Sequence, residues 1–193
     1  MIKKYRFFGG FLASQEDWIN KIAISGYRLI QTSKLSYEFE KVNNELYEYR
    51  IEYIGQKSQS DTEDYISFLE SLGYKTFYKN INLNYSTCKV QIRPWADKGG
   101  RIATNETTLN REILIIERKY SPDPFIIHST YEDRKRYALC LRRPWVYMLF
   151  CSLLAFIITH TYVWGAFLLI SFTGIVLHQI ELNKLRKQST IWE

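Results

Sequence analysis

The residues whose types could do chemistry are few: three histidines, three cysteines and two short glycine turns in 193 residues. His128 stands close to Glu132 and Asp133, a set that could hold a metal ion, yet acids just after Ser129 or Thr130 are what the first turn of a helix takes anyway. Gly55-Gln56-Lys57-Ser58 ends like a phosphate loop, but the leading glycine is missing and glycine and lysine are not adjacent. Phe8-Gly9-Gly10-Phe11 precedes a helix and could offer free backbone N–H groups to an anion; without the wider glycine spacing it reads as a plain turn. Cys88, Cys140 and Cys151 are odd in number and form no CxxC pair, which fits a reducing compartment and packing roles. No catalytic, metal or cofactor-binding residue is expected, and the chain is expected not to be an enzyme.

Charge narrows the partners. The net charge of +6 is not spread evenly. Arg134, Lys135, Arg136, Arg142 and Arg143 cluster against only Glu132 and Asp133, while residues 1 to 128 are nearly balanced. Such a local excess argues for a membrane surface over a nucleic acid, and nucleic acid is not expected as a partner. Arg93, Trp95, Lys98 and Arg101, inside the loop-like stretch Pro94 to Asn105, form a candidate partner-binding loop. The N-terminal Met1-Ile2-Lys3-Lys4 is followed by a run broken by Arg6, Gly9 and Gly10, too short for a signal peptide.

From Trp145 to Ile180 there is no Lys, Arg, Asp or Glu. Two apolar runs, 145–160 and 162–180, flank Thr159-His160-Thr161. At about 1.5 Å rise per residue the second run nearly matches a hydrocarbon layer of about 30 Å, and the first falls short by a turn. Trp145 and Trp164, with the basic residues above and Lys184, Arg186 and Lys187, are the candidate membrane-interface residues. Basic flanks on both sides of an uncharged connection predict a hairpin with both ends cytoplasmic. His160 and His178 lie near the ends of the runs, where a neutral imidazole is tolerated.

The preceding region repeats itself. Glu16-Asp17-Trp18-Ile19 recurs as Glu63-Asp64-Tyr65-Ile66, and Gly26-Tyr27 recurs as Gly73-Tyr74, all at an offset of 47. Each copy reads as strand, helix, strand. Ser14 and Asp61 are read as N-caps with an acid three places on, and Gly26 and Gly73 as helix stops. Leu35 to Phe39 and Leu46 to Ile54 flank Val42-Asn43-Asn44-Glu45, a hairpin signal. Further strands are expected over 85–92, 111–119 and 125–128, then a basic helix from Tyr131. The predicted fold is α+β: a ferredoxin-like duplicated βαβ domain with antiparallel sheet (1–128), a basic juxtamembrane helix (129–143), an all-α transmembrane hairpin (144–180) and a cytosolic tail (181–193).

Several of these segments carry a resemblance. The N-terminal Lys4-Tyr5-Arg6-Phe7-Phe8, the helix closing on Gly26-Tyr27-Arg28-Leu29, and the Tyr37-Glu38-Phe39 and Tyr47-Glu48-Tyr49-Arg50 strands resemble the bacterial family called domain of unknown function 2812. Leu72-Gly73-Tyr74, Ile115-Ile116-Glu117-Arg118-Lys119 and the stretch Phe125 to Lys135 extend the likeness, whereas Phe77 to Arg111 departs from it as an insertion. The resemblance implies C-terminal membrane helices, encoding beside PadR-like transcription regulators, and a membrane-associated accessory or sensing role; it supplies no catalytic residues. The expected function is a membrane-anchored regulatory, sensing or adaptor module at the inner membrane face, with the lipid bilayer and a protein partner, a small ligand or a second copy as its partners. The alternatives are a small subunit of a transporter or export complex, and a surface enzyme acting on lipid or nucleotide.

Overall fold

The computed structural model describes residues 1–43, 45–54, 59–80, 85–87, 90–92, 102–103, 112–123, 125 and 131–190. The elements run β1 (Ile2–Tyr5), α1 (Leu12–Ile24), β2 (Tyr27–Thr32), β3 (Ser36–Lys41), β4 (Tyr47–Tyr53), α2 (Gln59–Ser71), β5 (Lys75–Lys79), β6 (Tyr85–Thr87), β7 (Val90–Ile92), β8 (Ile102–Ala103), β9 (Ile113–Lys119), α3 (Tyr131–Thr159) and α4 (Tyr162–Thr190). This is the α+β class with antiparallel sheets, closed by a two-helix hairpin.

Two sheets share one plan. In the first, β3 lies between β1 and β2 and runs antiparallel to both; in the second, β9 lies in the same way between β4 and β5. Each sheet is thus a strand-helix-strand unit split by an inserted strand. The helices α1 and α2 begin at Leu12 and Gln59 and end at Ile24 and Ser71, so both are 13 residues long at the same offset of 47. Each stops at a glycine in the left-handed region, Gly26 at φ 83° and Gly73 at φ 81°, a conformation that only glycine adopts cheaply.

The pairing corrects the expected hairpin. β3 turns back on β2, and β4 leaves it for β9, pairing from Tyr47 with Lys119 to Tyr53 with Ile113. The reason lies in β9, whose Ile113-Leu114-Ile115-Ile116 run is buried throughout. A strand apolar on both faces needs a neighbour on each edge and a layer on each side. Ile113 and Ile115 enter the main core with Leu29, Phe39, Tyr49 and Ile51, while Leu114 and Ile116 enter a second core with Leu69 of α2, Ile54 and Phe125. The single strand expected over 85–92 is instead the antiparallel pair β6 and β7, and β8 pairs with β7 inside the stretch read as a loop. The strand expected at 125–128 lies, apart from Phe125, outside the described residues.

The two sheets are tied by one polar network. Arg28 of β2 donates through Nε and Nη2 to Glu117 Oε1 of β9 at 3.0 and 2.8 Å. The hydroxyl of Tyr49 (β4) donates to Glu117 Oε2 and accepts from the Leu29 N–H, both at 2.8 Å. Burial, then the Glu117 carboxylate, push the Tyr49 hydroxyl far above its ordinary pKa, so it stays a donor. At the other end Thr32 donates to the Tyr78 carbonyl at 2.7 Å, and the Lys79 ammonium caps the carbonyls of Ser33 and Lys34.

α3 and α4 are each 29 residues, or about 43 Å at 1.5 Å per residue, and both are long and apolar enough to cross a membrane. In their most apolar windows only 11% and 17% of residues are buried, unlike a core helix of a soluble protein. Phe150, Leu154, Ile158, Leu169 and Phe172 are exposed there. Hydroxyls within the runs turn back on their own helix: Ser152 donates to the Met148 carbonyl, Ser171 to Phe167 and Thr173 to Leu169.

Candidate functional site at the joint between domain and helices

The charge-free stretch ends at Trp145 and Ile180, but the helices run on toward the domain, α3 by about four turns and α4 by about three. Those extensions are where side chains from distant parts of the sequence converge, and α1 receives them.

Glu16 is the first contact. It lies on α1 with 2% of its side chain exposed and meets two guanidinium groups, Arg50 Nη1 at 2.6 Å and Arg134 Nη2 at 2.6 Å. It also accepts from the Ile51 N–H at 2.9 Å, and Arg134 donates onward to the Ile51 carbonyl at 3.0 Å. One carboxylate therefore joins α1, β4 and α3. A buried anion needs this much compensation, since removing either charge would leave the other desolvated and alone. Beside it Tyr137 of α3 stacks on Tyr53 of β4, ring centroids 4.2 Å apart, and Leu141 enters the main core.

The second contact settles how α1 begins. Ser14 is not its N-cap: the helix starts at Leu12, Phe11 is the cap residue and gives no side-chain bond, and the first turn carries no acid. Ser14 is the third helical residue, as is Asp61 in α2. The missing anion comes from α4. Glu181, 4% exposed, accepts from the Ser14 N–H at 3.1 Å and from the Ser14 hydroxyl at 2.7 Å, and Lys184 donates to that hydroxyl at 2.8 Å. A carboxylate at the positive end of a helix satisfies orphan N–H groups and its dipole together. Leu185 with Ala13 and Ala138 packs below this contact. Phe8-Gly9-Gly10-Phe11 itself is a turn, closed by the Phe11 N–H donating to the Phe8 carbonyl at 3.1 Å.

The third contact sits a turn nearer the apolar stretch. The Phe11 ring lies 4.8 Å from His178, and Trp145 lies 6.5 Å from His178 on the other side. His178 is 5% exposed, with Nδ1 lacking a hydrogen-bond partner among the described residues. Arg142 donates to Gln179 Oε1 at 2.7 Å, tying α3 to α4 at this level. Gly174 is obligatory, since a Cβ there would overlap the Trp145 indole.

The expected interface residues divide. Arg134 points into the domain and pairs with Glu16, because that buried carboxylate outcompetes solvent for it. Lys184 is likewise engaged within the joint, and Trp145 is half-buried between the helices. Arg136, Arg143, Arg186 and Lys187 are exposed on the extensions, and Lys135 and Arg142 are half-buried. Trp164 is half-buried beside Phe167 at the far end, and His160 is the exposed turn residue at φ 51°. Arg93, Trp95, Lys98 and Arg101, Gly55 to Ser58 and His128 lie outside the described residues. Among the described residues no group of three or more His, Cys, Asp or Glu could hold a metal ion.

The sequence reading missed Glu16 and Glu181. Glu16 was visible only as half of a repeated motif, and Glu181 as the first charge after the apolar run.

A family model described as "Protein of unknown function (DUF2812)" matches residues 12–150. The chain belongs to this family. The match takes in α1, the strands β2 to β9 and α3 as far as Phe150, so the Glu16–Arg134 contact lies wholly within the family region. Glu181 and the rest of α4 lie beyond it. No curated protein and no solved structure gives a significant match.

Proposed function

We propose that this protein is a membrane-anchored, non-enzymatic adaptor of the cytoplasmic face, multi-pass, with both termini in the cytoplasm of a bacterial cell. One observation carries the reading: two exposed apolar helices continue without a break into extensions that are ion-paired and packed against α1. Tethering alone would need only a flexible linker. A built joint fixes the domain's orientation at the membrane, which suits a module that presents a surface to a partner or passes a change between partner and bilayer.

The two split units have helices of equal length and stops of the same kind, which supports reading them as copies of one ancestral unit. The first is committed to the hairpin. The second carries its helix on the opposite face of the β9 sheet, with Phe68 of α2 and Leu72 just past its end exposed, and is the arm we assign to a protein partner or a second copy. The test is purification of the full chain from membranes in mild detergent after brief crosslinking. A specific partner or self-assembly lost on Phe68→Asp with Leu72→Asp supports the adaptor reading. Recovery of the chain alone, as a monomer, argues against it.

A further inference from the structure

Phe11 packs on His178, and His178 belongs to the stretch of α3 and α4 that holds no charged side chain. The loop before α1 therefore stands at the level where the apolar stretch begins, beside Arg142 and Trp145. Within that loop Phe8 turns inward, 5.5 Å from Trp18 and 6.1 Å from Tyr37. Phe7 turns outward and is 57% exposed. The reversal is made by two consecutive glycines in the left-handed region, Gly9 at φ 56° and Gly10 at φ 85°. Packed at Gly9, a Cβ would come within 3.3 Å of the Phe7 ring, so side chains larger than hydrogen are resisted there twice over. Just before Phe7 in the chain come an exposed Lys4, an exposed Tyr5 and an exposed Arg6, whose guanidinium lies over the rings of Phe8 and Trp18 at 5.0 and 5.6 Å.

We propose that the Phe7-Phe8-Gly9-Gly10-Phe11 loop enters the lipid headgroup layer, with Phe7 as its membrane-facing ring and Lys4 and Arg6 against lipid phosphates. An exposed aromatic with cationic neighbours is the side-chain chemistry of a bilayer boundary. Continuity with the apolar ends of α3 and α4 selects that occupant over a soluble partner. The inference rests on the reading of the hairpin as membrane-spanning, and goes beyond it: the domain touches the bilayer at a third point, so its tilt is fixed as well as its height.

The experiment uses the full chain with its three cysteines replaced by alanine, carrying single nitroxide labels at Phe7→Cys, Glu70→Cys or Leu169→Cys. Each is reconstituted in vesicles of phosphatidylethanolamine and phosphatidylglycerol. Collision rates with oxygen and with a water-soluble nickel chelate report depth. Leu169 in mid-α4 and the exposed Glu70 of α2 give the lipid and water references. The expected result is a nickel accessibility at residue 7 several-fold below that at residue 70, with oxygen accessibility raised. Residue 7 as nickel-accessible as residue 70, with residue 169 still in lipid, overturns the loop proposal and leaves the hairpin reading standing. Residue 169 as nickel-accessible as residue 70 overturns both. Phe7 is exposed, so the label disturbs no packing; Phe7→Ser, judged by the same nickel profile from a label at Tyr5→Cys, serves as a second variant and should raise accessibility there.

Discussion

The two split units differ most where their sequences agree best. Glu16 and Glu63 open the same motif at the same place on helices of the same length, yet Glu16 is buried between two arginines and Glu63 is exposed. Ser14 and Asp61 are both third residues of their helices, yet α2 carries its own acid there and α1 takes one from α4. Two helices of one pattern thus have different dependencies. α2 carries Asp61 in its first turn, while α1, with no acid in its own, meets Glu181 of the docked hairpin there. The repeated motif gives both units a like framework, and long-range pairing decides which of them docks on the hairpin.

The comparison breaks first at the glutamates. Glu16→Ala leaves Arg134 and Arg50 without their shared carboxylate, and removal of one member of a buried pair costs about 3–5 kcal/mol. Glu63→Ala on the exposed face should stay within about 0.5 kcal/mol. Thermal unfolding in detergent of both variants checks this, and equal effects would erase the distinction.

Lys79 tests the seam between the units, since it reaches from β5 to the turn after β2. Burial lowers its pKa to about 8 from an ordinary 10.5. Between those values the unfolded chain holds the proton and the folded chain does not, so stability rises with pH across that window and is flat below it. At 1.36 kcal/mol per unit the rise attributable to this group is about 3 kcal/mol. Lys79→Met should remove it, seen as the difference between the two proteins' melting profiles from pH 7 to about 10.5. A difference that does not vary with pH would contradict it.

Smaller effects sharpen the contrast at the helix starts. Glu181→Ala should cost about 1–2 kcal/mol and Asp61→Ala about 0.5–1 kcal/mol, since the first loses hydrogen bonds to Ser14 as well as the dipole term. Hydrogen exchange should show faster exchange in the first turn of α1 for the former and of α2 for the latter. Gly26→Ala and Gly73→Ala, where the units are alike, should each cost about 1 kcal/mol with no asymmetry.

Local features were legible in the sequence and distant partners were not. The helices, their glycine stops and the two apolar runs follow from periodicity and composition, which act over a few residues. The Val42–Glu45 turn signal was overruled because β9, apolar on both faces, took β4 as an edge partner. Ser14 looked like a cap because serine often is one; the group that completes the helix start lies 167 residues away and has no local trace. Arg134 looked like part of a lipid-facing collar because its neighbours are basic, and only the fold reveals Glu16 opposite it.

The central claim is that the first unit is locked to the hairpin through α1. The direct test is the distance between nitroxide labels at Ile24→Cys on α1 and Asn183→Cys on α4, measured by pulsed electron resonance in vesicles on the cysteine-free background. A single narrow distribution that broadens on Glu16→Ala is the predicted result. A broad distribution in the parent protein, or one unchanged by Glu16→Ala, would contradict the account.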